Sequence, residues 1–286
     1  MTSQEQKAAD RPHEEADVAA ALARLKARLA AIARDGNLSI AYSGGLDSRF
    51  LAFFAKQNGF EVELLHAQSA HISREETQEA IGRAAAMGLT VRCIRPDLPD
   101  PMRLARALRD RCYVCKKAIF TVLLKEAHAP LCDGSNASDA LVFRPGSRAI
   151  SELGVGTPLA DAGLSKPMIR QAAAALGLSD PQQPARPCLL TRFDYGDAPD
   201  PVRLDLTQRA EAFLDTLPAL KAGFRLRWLG PVPLLHVSAA NGLSAQQMQA
   251  VRTALISAFP ALENVRIEAL RELSGWFDRV RPNEGH

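Results

Sequence analysis

The chain has 286 residues, 47% hydrophobic and 23% charged, an ordinary globular composition that excludes a wholly disordered or fibrous chain. Thirty-five basic residues against 32 acidic ones leave +3 with neutral histidines, too small a surplus to argue for nucleic acid by itself. The longest apolar runs, such as Ala118 to Leu124, fall far short of the roughly 20 residues of a membrane helix.

The polar, acidic start MTSQEQKAADRPHEEAD lacks a basic beginning, an apolar stretch and a cleavage site, so no secretory signal is read there and the cytoplasm is the expected compartment. The leucines at 22, 25 and 29 then predict a lead-in helix from Val18 to Ala33, with the charged tail before it frayed. LSIAY (Leu38 to Tyr42) reads as a short apolar strand, followed by SGGLDS and a helical pattern from Arg49 to Gln57 that stops at Asn58 and Gly59. EVELLHA is a second strand. A helix is expected from Arg74 to Met87, capped by Ser73 with Glu76 at the reciprocal position, and TVRCIR is a third strand. After a polar stretch punctuated by proline, Tyr113 to Ala127 looks helical and APLCDG looks like a fourth strand.

Strands alternating with helices in this way predict an α/β fold, a parallel sheet with helices on both faces. Asp133 to Pro158 reads as a loop-rich segment, and Ser165 to Leu178 as a capped helix ended by glycine. The stretch QQPARPCLLTRFDYGDAPDP has no period. Beyond it come a helix (Val202 to Leu217), two strands (Phe224 to Leu229, Leu234 to Ser238), a helix (Ser244 to Phe259) and a strand (Asn264 to Leu270). The organisation expected is a tail and lead-in helix over 1–35, an α/β domain over 36–197 and a small C-terminal α+β domain over 198–286.

SGGLDS, from Ser43 to Ser48, lies where a buried strand gives way to a helix, the place at which an α/β sheet binds ligands. Gly44 and Gly45 let the backbone approach an anion closely and expose amide hydrogens to it; Ser43 and Ser48 add hydroxyls, and the helix start adds positive potential. Asp47 is acidic where phosphate is expected, which suits a helix cap or a magnesium ligand. A glycine turn with serine caps is the bland alternative. No GKS or GKT follows, so the nucleoside-triphosphatase type of loop is excluded.

The five cysteines, Cys93, Cys112, Cys115, Cys132 and Cys188, are too sparse for a disulfide framework. CYVCKK spaces Cys112 and Cys115 as metal or cluster ligands, and Cys188 stands far off in a proline-set loop. Three thiolates do not complete a four-thiolate zinc site, whereas three on a cubane iron-sulfur cluster leave one iron open for sulfide. Packing roles for all three, or a zinc site completed by histidine, are the alternatives. Cys93 and Cys132 lie in strands and read as core residues.

SGGLDS after an apolar strand resembles the PP-loop superfamily, of adenine nucleotide alpha hydrolase-like fold, whose members split ATP to AMP and pyrophosphate and adenylate a substrate oxygen. In such folds the end of the second strand meets adenine, which here implies His66, Ala67, Gln68 and Ser69. The longer strings RCYVCKKAIF, DGSNASD, RPGSRAISELGVGTPLADAGLSKPMIR and PARPCLLTRFDYG together resemble the LarE family, ATP-dependent sulfur transferases of nickel-pincer nucleotide cofactor biosynthesis, over roughly Ser39 to Gly196.

That resemblance implies adenylation of a pyridinium biscarboxylic acid mononucleotide, then displacement of AMP by sulfur to leave a thiocarboxylate. It implies pyrophosphate binding by Ser43, Gly44, Gly45, Asp47 and Ser48. It implies catalytic roles for Asp47, Cys112, Cys115 and Cys188, the three cysteines holding a 4Fe-4S cluster; in some members the cysteine matching Cys188 is itself the sulfur donor. Magnesium, ATP and a sulfur source such as sulfide are the implied partners, with neither membrane nor nucleic acid, and a homo-oligomer is expected. Arg144, Arg148, Arg192, Arg225 and Arg227, with Lys166, suit a phosphorylated, carboxylated substrate; Asp139 and Glu152 suit magnesium. LLHVS departs from the family pattern, which has an arginine and a carboxylate there. A tRNA thiolase of the same superfamily, an ATP-binding or iron-sulfur scaffold without transfer chemistry and an amide-forming synthetase are the rival functions.

Overall fold

The structure, a computed structural model, describes residues 3–141, 145–198 and 200–280, with side chains from residue 16 onward except at 141. In chain order the elements are α1 (Ser3–Ile32), β1 (Asn37–Ala41), α2 (Leu46–Gln57), β2 (Glu61–Ala67), α3 (Arg74–Ala86), β3 (Val91–Ile94), α4 (Pro101–Arg106), α5 (Arg111–Glu126), β4 (Leu131–Cys132), α6 (Pro145–Glu152), α7 (Pro158–Asp161) and α8 (Lys166–Ala175). There follow α9 (Pro201–Asp215), β5 (Phe224–Leu229), β6 (Val232–Ser238), α10 (Ala245–Ala258), β7 (Arg266–Leu270) and α11 (Trp276–Val280). No helix among the described residues is long and apolar enough to cross a membrane.

The chain divides into two compact units. One takes residues 1–69, 76–98 and 112–186; the other takes 70–75, 99–111 and 187–286.

The first unit is built on a four-stranded parallel sheet in the order β3-β2-β1-β4. Its strands alternate their side chains between two cores, as the pleat requires. Leu38, Ile40, Leu64 and Cys132 join Leu25 and Leu29 of α1, Phe50 and Leu51 of α2, Ala80 of α3 and Ile169 of α8. Leu65 and Leu131 pack instead with Phe120 and Leu123 of α5 and Ile150 of α6. The expected α/β sheet with helices on both faces is what forms.

The second unit carries a three-stranded sheet in the order β5-β6-β7, with β5 and β6 antiparallel and β6 and β7 parallel. Leu204 and Leu214 of α9 and Val251 and Leu255 of α10 pack onto Leu226, Trp228 and Leu235. The proline-rich segment is ordered onto this sheet: Phe193 bridges Trp228 backbone to backbone, and the two rings stack with centroids 6.5 Å apart.

Four features differ from the sequence reading. The lead-in helix runs back to Ser3 instead of fraying after the charged tail, a stretch rich in alanine, glutamate and glutamine, which favour helix. β4 is only two residues long. The segments read as irregular contain α4, α6 and α7, each beginning with a proline, which suits the first helical position because its missing N–H has no partner to lose there. Cys93 is only half-buried, because β3 is an edge strand; Cys132 is fully buried as expected.

Leu25 is wholly buried, so truncating it tests whether α1 belongs to the core of the α/β unit. Leu25→Ala should lower unfolding free energy by about 2–5 kcal/mol. Urea denaturation measures it, and an effect within about 0.5 kcal/mol would place α1 outside the cooperative core.

Candidate active site

β1 ends at Ala41 and α2 begins at Leu46, so residues 42–45 must turn the chain sharply above the sheet. Gly44 makes the turn at φ +75, and a Cβ there would stand 2.5 Å from the Cβ of Ala80 on α3. Only glycine fits both demands. Gly45 is the N-cap of α2. The Ser48 hydroxyl donates to the Gly45 carbonyl at 3.1 Å, accepts from the Ser43 amide at 3.2 Å and lies 3.1 Å from the Ser43 hydroxyl. Ser43, Gly44, Gly45, Asp47 and Ser48 thus form one small loop with hydroxyls and a helix start facing the same space.

Lys166, at the start of α8, donates to both oxygens of Asp47, at 2.7 and 2.8 Å. Sequence reasoning named both residues and not the pair, since 119 residues separate them. The lysine charge beside the loop is thereby matched by the Asp47 carboxylate.

Four further residues of this site escaped the sequence reading. Gly134, after β4, approaches so closely that a Cβ would stand 2.9 Å from the Ser48 amide nitrogen. Asp133 beside it accepts from the Ser135 amide at 2.7 Å and from the Ser135 hydroxyl, and Lys116 Nζ stands 3.7 Å from its other oxygen. Lys116 follows Cys115 directly. Gln183 donates to the Gly44 carbonyl at 3.1 Å. The strings DG, CKK and QQP carried these residues, with nothing in their spacing to mark a role.

Cys112 and Cys115 occupy the first turn of α5, three apart and so on one face; Cys112 is half-buried and Cys115 buried. α6 packs against that turn through Gly146, where a Cβ would stand 2.8 Å from Cδ of Lys116. Cys132 is excluded from thiolate chemistry, because burial, with Asp133 and Asp161 nearby, pushes its thiol up to about 12. Cys188 stands in the other unit, half-buried at the start of a short turn over Leu189–Arg192. Its carbonyl accepts from the Thr191 amide and hydroxyl, and Leu189 N–H donates to the His71 carbonyl. Among the described residues no three or more His, Cys, Asp or Glu side chains gather as a metal-binding group.

At the end of β2, Ala67 and Ser69 are half-buried, and Gln68 accepts from Arg95 at 3.1 Å. His66 is buried instead, its ring nitrogens 2.8 Å from the Tyr42 carbonyl and 3.2 Å from the Thr77 hydroxyl; burial lowers its pKa. It braces the strand beneath the loop.

Arg144 lies outside the described residues. Arg148 is exposed, its guanidinium 3.9 Å from the Tyr113 ring centroid, and Glu152 binds Lys117 and Tyr113. Asp139 accepts from the Asn136 amide. Arg192 holds both oxygens of Glu211, at 2.7 and 2.9 Å, tying the Cys188 turn to α9. Arg227 is buried, paired through Nη1 with His236 Nδ1 at 2.6 Å and bonded to the Leu273 carbonyl, while its Nε has no partner. Burial first, then Arg192 and Arg225, pull its pKa down to about 9. Arg227 thus feels the charges of Arg192, Arg225 and Arg279 against that of Glu211, while Arg279 has a partner of its own in Glu272 at 3.3 Å.

The α/β sheet and the loop at its first strand define a protein of the PP-loop class. No family model matches the chain. It is 31% identical over 210 residues to an uncharacterized protein of Methanocaldococcus jannaschii, which covers 72% of this chain and 79% of that protein. It is 34% identical over 184 residues to an uncharacterized protein of Synechocystis sp., covering 62% and 68% of the two chains. It is 28% identical over 214 residues to the pyridinium-3,5-bisthiocarboxylic acid mononucleotide synthase of Lactiplantibacillus plantarum, covering 72% and 78%. The chain belongs to the family of these proteins, the LarE family.

Two predictions follow from the geometry. Gly44→Ala should destabilise the α/β unit by about 1–3 kcal/mol in urea denaturation, because neither the backbone angle nor α3 leaves room for a Cβ, and wild-type stability would count against so tight a turn. The second concerns acid. Burial holds His71 and His236 down to about 4. Below about 6.5 the unfolded chain takes up protons at both positions and the folded chain does not, so stability falls as pH drops towards 4. Each histidine should cost about 2 kcal/mol between pH 7 and 5. His236→Asn, which keeps an acceptor for Arg227, should flatten that acid limb in urea titrations, and an unchanged slope would count against it.

Proposed function

We propose that the chain is an ATP-dependent sulfur transferase that adenylates a carboxylate of a pyridinium biscarboxylic acid mononucleotide and replaces AMP with sulfur. The observation that carries this reading is the loop 43–48, with Gly44 pressed on α3 and Lys166 on Asp47, at the strand-to-helix junction where a PP-loop protein takes pyrophosphate. The relationship to a named synthase of a bisthiocarboxylic acid mononucleotide supports the substrate.

In this reading the helix amides and the Ser43 and Ser48 hydroxyls hold the β and γ phosphates of ATP, and Lys166 offsets their charge. Adenine takes the end of β2, at Ala67 and Ser69. A substrate carboxylate oxygen attacks the α phosphorus; the bond from that phosphorus to the bridging oxygen breaks, and pyrophosphate leaves. The acyl adenylate carries a good leaving group where the free carboxylate carried none. A sulfur nucleophile adds to the acyl carbon, AMP departs, and the product is a thiocarboxylate. Arg225 and Arg227 hold the phosphate of the mononucleotide, for which the guanidiniums supply charge and the unpartnered Arg227 Nε a free donor. Asp47 and Asp133 offer the oxygen donors that magnesium prefers, each already beside a lysine.

Cys112, Cys115 and Cys188 are proposed to hold a 4Fe-4S cluster, since thiolates are the soft donors such clusters take. When bound, such a cluster would supply sulfide as the sulfur nucleophile. The protein would then keep its own sulfur from one turnover to the next.

Incubation with ATP, magnesium and the mononucleotide should give AMP and pyrophosphate; ADP as the main product would overturn the reading. Ser48→Ala should slow adenylation by roughly a hundredfold, the order lost with one well-placed donor. Under anaerobic conditions with sulfide, product should exceed one per chain, with the protein mass unchanged. One sulfur per chain, with Cys188 lighter by hydrogen sulfide, would mean that Cys188 is itself the donor.

A further inference from the structure

The Gly44 carbonyl is held from behind. It accepts from Gln183 Nε2 at 3.1 Å and from Arg83 Nη1 at 3.4 Å. Gln183 is buried, and its Oε1 accepts from Arg49 Nη1 at 2.7 Å. Arg49, itself nearly inaccessible, donates through Nη2 to the carbonyl and hydroxyl of Ser179, at 2.5 and 3.1 Å. Arg83 is held in turn by Glu79 at 3.1 Å, and Glu79 lies 3.9 Å from Arg186. The stretch 179–186 is thus tied to the phosphate loop twice, by amide and by ion pairs.

A trans peptide points its carbonyl and its following N–H to opposite sides. Whatever grips the Gly44 carbonyl therefore decides where the Gly45 N–H is aimed. That amide now meets the Ser43 hydroxyl at 3.3 Å, a long contact that a phosphate oxygen improves upon. Glycine at 44 gives the peptide freedom to flip, so the loop needs an outside hold.

We propose that Gln183 is a positioning residue for the phosphate loop, its side-chain amide fixing the Gly44–Gly45 peptide so that the Gly45 N–H faces the pyrophosphate group of the nucleotide. The role rests on the ATP reading above. It needs an amide in particular. Gln183 must accept from Arg49 and donate to Gly44 at once. A carboxylate keeps the first bond and loses the second; an apolar side chain loses both.

The test compares wild type with Gln183→Glu and Gln183→Met, reading thermal stability, the affinity for ATP and for inorganic pyrophosphate by calorimetry, and KM for ATP separately from kcat. Gln183→Glu gains a charge partner for Arg49, so it should melt at or above the wild-type temperature. It should nevertheless bind ATP and pyrophosphate at least tenfold more weakly, with KM rising more than kcat falls. Gln183→Met adds no negative charge and should weaken binding as well, which separates loss of the donor from simple repulsion. With glycine labelled by nitrogen-15, pyrophosphate should shift the Gly45 amide in wild type and leave it in place in either variant. Wild-type affinity and an unaltered Gly45 shift in a folded Gln183→Glu or Gln183→Met protein would overturn the role alone. Failure of the wild type to bind ATP or pyrophosphate would overturn the ATP reading and the role together.

Discussion

The contact between Gly44 and Ala80 sets the rest of the α/β unit. Because no side chain fits between them, α3 lies directly against the turn that follows β1, and the turn cannot relax away from it. Arg83, one helical turn beyond Ala80, thereby reaches the Gly44 carbonyl. Gly134 presses the same loop from the β4 side, against Ser48. Close packing on both flanks confines the loop, and the grip of Gln183 and Arg83 on the Gly44 carbonyl holds the one peptide that glycine leaves free, so its amides and hydroxyls are arranged before any ligand arrives. That is the condition under which fixed dipoles act strongly on a developing charge.

The second unit solves a different problem. Arg192, Arg225 and Arg279 all act on the buried Arg227, and Glu211 is already committed to Arg192 through both oxygens and to the Leu226 amide. Arg227 is left with a neutral histidine, since burial keeps His236 at about 4. A neutral acceptor satisfies one donor of Arg227 and leaves its charge uncompensated at that contact.

The sheet and most helices were legible because apolar spacing reports directly on packing: EVELLHA and FRLRWL appear as strands with the expected bounds. Prolines misled, because the same residue that ends a helix also begins one; Asp100 and Asp200 each cap a helix whose first residue is proline, and the Asp–Pro step marks both in retrospect. The phosphate loop was legible as six consecutive residues. Its supports were not. Lys166, Gln183 and Arg83 reach the loop from 119, 139 and 39 residues away along the chain, and only the fold makes them neighbours. The burial of His66 was not legible, because a strand end offers the same letter to a ligand or to the layer beneath it.

The turn that presents Cys188 owes its shape to everything except sulfur. Its carbonyl is gripped by Thr191, its following amide by His71, and Arg192 anchors the end of the turn on Glu211. Substituting the sulfur atom away leaves each of those bonds in place. A Cys188→Ala chain would thus keep its fold, and any function it loses belongs to the thiol alone.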